Sequence, residues 1–193
     1  MKASELKHLI LIGSSTGGPG HLQKIVKALP FHFSGTLIIA QHIAHEFIPS
    51  FVNQLQQHCL LDVIPVSEGL QVLPGKVYIC SLTSTLELIS NKLYFHQTDC
   101  NVSSYNPSIN HLFESASALI QQFNTVEIIL TGIGDDGVKG LQSFSESGGH
   151  CIAESESSAI VYGMPFQATK HIKKLSIQNL DEIIQTIRGF DSI

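Results

Sequence analysis

Two textures alternate along the chain: short runs of large aliphatics, and longer stretches in which apolar residues recur every three or four positions. Leu9-Ile10-Leu11-Ile12, Thr36-Leu37-Ile38-Ile39-Ala40 and Val126-Glu127-Ile128-Ile129-Leu130 have the first texture, that of strands buried on both faces. Helical spacing follows the first two, with Leu22, Ile25, Val26 and Leu29, then Phe47, Phe51 and Leu55 beside Ile48 and Val52. A helix running to Ser147 follows the third. The clearest helix carries Ile109, Leu112, Phe113, Ala116, Leu119, Ile120 and Phe123, with Ser108 placed to cap it.

Further along, His150 to Ala153 reads as a short strand, a short helix follows Gly163-Met164-Pro165, and a strand falls near Leu175 to Ile177. A last helix has Asn179 as its cap, Asp181 and Glu182 in its first turn, and a stripe of Leu180, Ile183, Ile184 and Ile187. From Val63 to Gln97 the pattern changes to short pieces with turn signals: Leu61 to Val66, Val77 to Cys80 after Leu73-Pro74-Gly75, and Leu86 to Ile89 and Leu93 to Phe95 around Asn91-Lys92. This stretch reads as an antiparallel insertion or sheet edge. The whole predicts an α/β fold: a doubly wound, mostly parallel sheet with helices on both faces and a small antiparallel hairpin insertion.

Composition narrows the picture. With 193 residues, 43% of them hydrophobic, the chain can bury a proper core, and a single domain over 1–193 is expected. A formal charge of −5 without any Lys or Arg run argues against nucleic acid or an anionic membrane as main partner. No apolar run reaches the roughly 20 residues that span a bilayer, so no membrane insertion is expected. Met1-Lys2-Ala3-Ser4-Glu5 leads directly into the first strand, leaving no room for a signal peptide, so a cytoplasmic protein is expected. Cys59, Cys80, Cys100 and Cys151 are scattered, without a C-x-x-C pair, and read as reduced, mostly buried thiols.

Open parallel sheets place their ligands and reactive groups outside the carboxyl ends of the strands. Here the three clearest strands end in Gly13-Ser14-Ser15-Thr16-Gly17, in Gln41-His42, and in Gly132-Ile133-Gly134-Asp135-Asp136-Gly137. The first fits G-x-S-x-G, a sharp turn that can expose a serine hydroxyl, and equally a glycine turn that cradles phosphate, or a plain tight turn. A serine, a histidine and an aspartate on one edge are the set that acyl transfer requires. The histidine takes the serine proton, the carboxylate orients the histidine, and the helix starting near Thr16 offers N–H groups to an oxyanion. Other readings stand beside this one. His42-Ile43-Ala44-His45-Glu46 fits no metal motif, Asp135 and Asp136 could hold Mg²⁺, and the first turn lacks the Lys-Ser/Thr of a nucleotide loop.

Several of these motifs, in order, resemble the catalytic domain of the chemotaxis protein-glutamate methylesterases, the CheB family. They are Ile12-Gly13-Ser14-Ser15-Thr16-Gly17-Gly18, Gln41-His42, Val72-Leu73-Pro74-Gly75, Val77-Tyr78-Ile79, Pro107-Ser108, Leu130 to Gly137 and Gly163-Met164-Pro165, together spanning nearly the whole chain. That family hydrolyses glutamyl methyl esters on the cytoplasmic domain of methylated chemoreceptors and also deamidates certain receptor glutamines. The resemblance implies Ser15 as nucleophile, His42 as general base and then acid, and Asp136 as orienting carboxylate. Asp135 stands where the family commonly has asparagine and is the weaker candidate. The backbone at Thr16 and Ile133 would line the oxyanion hole, the Thr16 hydroxyl would help seat the imidazole, and the chemistry calls for no cofactor.

The chain also departs from the family pattern. Ser103-Ser104-Tyr105-Asn106 stands where a basic segment is usual, Phe166 where arginine is common, Ile133 in place of methionine, and His45-Glu46 in place of a small or proline-containing turn. These changes remove positive charge from the expected substrate side. Most family members begin with a receiver domain, so such control is expected to be absent or to lie on a separate receiver protein. Two alternatives remain at this level: a catalytically weak or retargeted relative that binds a signalling protein, and a phosphate-binding doubly wound domain.

Overall fold

The computed structural model describes residues 5–98 and 105–191. Ser103 and Ser104 of the altered segment, and Cys100, lie outside the described residues. Seven strands among those described form one sheet, and every pair in it is parallel. In chain order they are β1 (His8–Ser14), β2 (Thr36–Gln41), β3 (Asp62–Pro65), β4 (Lys76–Ile79), β7 (Asn124–Ile129), β8 (His150–Glu154) and β9 (Leu175–Gln178). Their spatial order is β3-β4-β2-β1-β7-β8-β9. The chain therefore winds one way from β1 and returns to wind the other way from β7, which puts the topological switch point between these two strands.

The aliphatic runs are two-sided because both faces are covered. Ile10 and Ile12 of β1 point into a core shared with α1 (Gly18–Lys27), α2 (Ile48–Gln56) and α6 (Leu180–Gly189). Leu9 and Leu11 point the other way, into a core shared with α3 (Ile109–Ala116), α4 (Val138–Glu146) and α5 (Met164–His171). The Asn179 cap is present as a full capping box, its side chain accepting from Glu182 N while Glu182 reaches back.

The expected hairpin is β5 (Ser84–Ile89) with β6 (Lys92–Gln97), antiparallel, and its apolar side (Leu86, Leu93, Phe95) joins the second core. Its turn falls at Ser90 and Asn91, which both have positive φ, as a two-residue primed turn requires. For the rest of this stretch the sheet-edge reading holds and the antiparallel insertion does not. β3 and β4 pair in parallel with each other, and β4 pairs with β2, so both belong to the main sheet. The Ser108 cap is a second correction: its hydroxyl makes no capping bond to its own helix.

Candidate active site

The loops at the carboxyl ends of β1 and β2 are tied together before any reactive group is considered. Ser14, fully buried, donates its hydroxyl to Gln41 Oε1 at 2.7 Å. Gln41 Nε2 then donates to Ser15 O at 3.0 Å and His42 O at 2.9 Å, and His42 N donates to Ser14 O at 2.9 Å. Of the two adjacent serines, the first is a buried strut and the second is left half-exposed on the turn. Gly17 completes the turn with φ of 86°, a conformation that only glycine adopts cheaply, and α1 starts at the next residue.

The loop after β7 comes equally close. Ser15 N donates to Thr131 O at 3.0 Å, and the Thr131 hydroxyl donates to Thr16 O at 2.8 Å. At Gly132 a Cβ would lie 2.7 Å from Ser15 Cβ and 2.3 Å from Met164 Sδ, so only glycine lets this strand end approach the serine. Thr131 is held in turn by Glu154 at the end of β8, whose Oε2 accepts Thr131 N at 2.8 Å. Glu154 is fully buried, and its Oε1 accepts from Ser158 Oγ and lies 3.2 Å from His21 Nδ1. That last contact has ion-pair distance without hydrogen-bond geometry.

His42 Nε2 and Asp136 Oδ2 are 2.8 Å apart. Asp136 is 1% exposed and sits at the N-terminus of α3, where its carboxylate accepts from Ile109 N at 2.8 Å and Asn110 N at 3.1 Å. This is the cap that Ser108 does not provide. The Ser108 hydroxyl donates to the same carboxylate at 3.4 Å. Burial pushes the Asp136 carboxyl up, but the hydrogen bond from His42 and those from the two backbone N–H groups outweigh it and hold the group below its ordinary value. An ionised Asp136 accepts from Nε2–H, which leaves Nδ1 as the imidazole nitrogen able to take a proton.

The structure thus joins His42 to Asp136 directly and brings the Ser15 turn against both loops through the backbone. Among the described residues the Ser15 hydroxyl has no hydrogen-bond partner, and the Thr16 hydroxyl makes no bond to His42. The Thr16 and Ile133 N–H groups, flanking Ser15 on two loops, have no acceptor among the described residues either. Asp135 is exposed and does not reach His42 by a hydrogen bond. His45 turns away, its Nδ1 against Ser81 O at 3.1 Å.

Three residues of this edge were not singled out by sequence reasoning for what they do: Gln41, Glu154 and Tyr105. The ring of Tyr105 stacks on His42, with centroids 5.0 Å apart and planes 4° apart. The rim is apolar. Ile133 and Ile160 are 63% and 67% exposed, Phe166 is exposed beside Tyr162, and the ammonium of Lys170 rests 4.0 Å over the Phe166 ring.

A parallel sheet of this order, with a histidine–aspartate pair and a half-exposed serine at its switch point, defines a doubly wound α/β protein whose candidate site lies at that edge. The chain belongs to the CheB methylesterase family, whose model matches residues 10–187. Among curated relatives, protein-glutamate methylesterase/protein-glutamine glutaminase 5 of Myxococcus xanthus is 37% identical over 162 residues, covering 82% of this chain and 46% of the relative. The similarly named protein 1 of Oleidesulfovibrio alaskensis is 32% identical over 188 residues, covering 94% of this chain and 50% of the relative. The chain thus spans about half the length of these relatives. The crystal structure of the Thermotoga maritima CheB methylesterase catalytic domain superimposes with a TM-score of 0.86 at 28% identity, covering 96% of this chain and 99% of that one. Among the described residues no helix is long and apolar enough to cross a membrane.

Proposed function

We propose that this chain is a serine-dependent protein-glutamate methylesterase with protein-glutamine deamidase capacity, acting in the cytoplasm on a methylated chemoreceptor or a related signalling protein. Family membership and the names of the relatives support the reaction class. The observation that carries the reading for this chain is the 2.8 Å pairing of His42 with Asp136 on the sheet edge that also holds Ser15.

In the proposed cycle Ser15 Oγ attacks the ester carbonyl carbon while its proton passes to His42 Nδ1. The positive imidazole that results is paired with the ionised Asp136. The carbonyl oxygen becomes an oxyanion and receives the Thr16 and Ile133 N–H groups, donors whose individual loss costs about 10²–10³ in rate in comparable sites. The bond from carbonyl carbon to methoxy oxygen then breaks, and His42 returns the proton so that methanol leaves. Water repeats the sequence on the acyl-serine, releasing the glutamate carboxylate and restoring Ser15. For a glutamine side chain the leaving group is ammonia. Ile133 acts through its backbone, so its replacement of methionine leaves this role intact.

Two measurements test the reading: methanol release from a methylated receptor fragment, and covalent labelling by an organofluorophosphonate. Wild type is expected to be active in both, with Ser15→Ala and His42→Ala inactive. A wild type indistinguishable from these variants in both assays overturns the proposal, and phosphate binding unaffected by the substitutions would favour the phosphate-binding alternative.

A further inference from the structure

Tyr105, in a segment where this chain leaves the family pattern, lies over the face of His42. The Tyr105 ring lies parallel to the imidazole at 5.0 Å. At Gly134 a Cβ would stand only 2.9 Å from the Tyr105 hydroxyl, so the loop that carries Asp135 makes room for the phenol. We infer that Tyr105 is a positioning residue for His42, its phenol seated against the loop at Gly134, an inference that rests on the esterase reading of the site.

The hydrogen bond to Asp136 fixes one atom of the imidazole, and a ring held at one atom can still tilt about it. A parallel aromatic face fixes the plane, and with it the direction in which Nδ1 points. The arrangement also favours the charged state that the cycle requires, because the face of an aromatic ring attracts a cation and His42 becomes one in each transition state. The segment that carries Tyr105 is anchored where Asn106 Oδ1 accepts Thr83 N at 2.9 Å. Among the described residues the ionisable groups around this face are Asp136, Tyr105 and the neighbouring Asp135. Nearby His45 is engaged with Ser81 O, and His111 of α3 with Ser108 Oγ.

The test compares Tyr105→Phe, Tyr105→Leu and Tyr105→Ala in the intact chain with an ester substrate that wild type turns over and Ser15→Ala does not. The Phe variant keeps the ring and is expected to retain kcat within about twofold, whereas Leu and Ala lower kcat about tenfold with KM little changed. A Leu variant as good as Phe, an unchanged Ala variant, a loss confined to KM, or a gain in turnover on removing the ring would each overturn the inference. A second readout needs no activity: the low-field proton shared by His42 Nε2 and Asp136 should stay sharp in the proton NMR spectrum of wild type and Tyr105→Phe and broaden in Tyr105→Ala. Absence of Ser15-dependent turnover in wild type would sink the esterase reading, whereas an equally sharp resonance in all three proteins would sink the positioning role alone.

Discussion

Asp136 and Asn110 cap each other's helices. Asp136, just before α4, accepts the first N–H groups of α3, while Asn110, within the first turn of α3, accepts Gly137 N at 3.0 Å and Gly140 N at 2.9 Å at the start of α4. The carboxylate bonded to His42 is therefore also a structural joint, and its position depends on a residue that contacts neither Ser15 nor His42 by hydrogen bonding.

Asn110→Ala leaves the N–H groups of Gly137 and Gly140 without this acceptor and should cost about 1–2 kcal/mol, lowering Tm by roughly 2–6 °C. Because the joint loosens, turnover of the ester should fall while KM holds. Asn110→Asp preserves an acceptor oxygen and should recover most of the thermal loss. Thermal denaturation beside steady-state kinetics checks both, and an Ala variant with unchanged Tm would refute the cap.

The adjacent serines should separate cleanly. Ser15→Ala is expected to abolish fluorophosphonate labelling with Tm nearly unchanged, since its hydroxyl has no partner among the described residues. Ser14→Ala leaves Gln41 Oε1 without its buried donor and should cost about 1–3 kcal/mol while labelling at Ser15 persists. Peptide mapping of the labelled site together with denaturant melts distinguishes the two. Loss of labelling in Ser14→Ala, in protein that remains folded, would count against the assignment of roles.

Glu127 sits in β7, fully buried, with neither carboxylate oxygen hydrogen-bonded among the described residues. Burial pushes its carboxyl well above the ordinary 4.5. The folded state therefore keeps a proton that the unfolded chain releases above about pH 4.5, so this residue makes stability fall as pH rises from there toward the folded titration point. Glu127→Gln cannot ionise and should flatten that slope, giving a Tm roughly 3 °C or more above wild type at pH 8 relative to any difference at pH 4.5. Parallel pH–Tm profiles for the two proteins would expose an error in the sign or the site.

The rim should govern which flanking sequence is accepted. Phe166→Arg restores a charge where the family commonly has one, and should lower KM about threefold for a glutamyl methyl ester peptide with acidic flanks while leaving kcat near wild type. The gain should shrink in high salt. For a peptide with leucine flanks the same substitution is expected to raise KM. If neither KM moves, the rim does not contact the substrate.

Much of this was legible in local pattern, and what was not is non-local. β1, β2, β7, β8 and α6 follow from aliphatic runs and an Asn179 capping box because the signals lie within a few residues of the structure they specify. The parallel pairing of β3 with β4 was not legible because each has only four residues and the connection between them has no helix, so nothing announced the crossover that parallel pairing usually needs. Ser108 looked like a cap, yet the bonds to Ile109 and Asn110 come from Asp136 on another loop. Ser15, His42 and Asp136 could be proposed together because the strand-end rule places them on one edge. Tyr105 lies in an aperiodic polar loop, where no spacing rule indicates an aromatic ring parallel to an imidazole.

The parallel pairing of β1 with β7 has a consequence for a chain leaving the ribosome. Ser15 and His42 emerge early, but the carboxylate that joins His42 follows 94 residues later and reaches its place only when β7 has docked beside β1 and α3 has been capped. Non-local closure of this kind comes late in folding. A nascent chain would thus hold its serine chemically silent through most of its synthesis, and the appearance of fluorophosphonate reactivity would mark the moment at which the two halves of the sheet join.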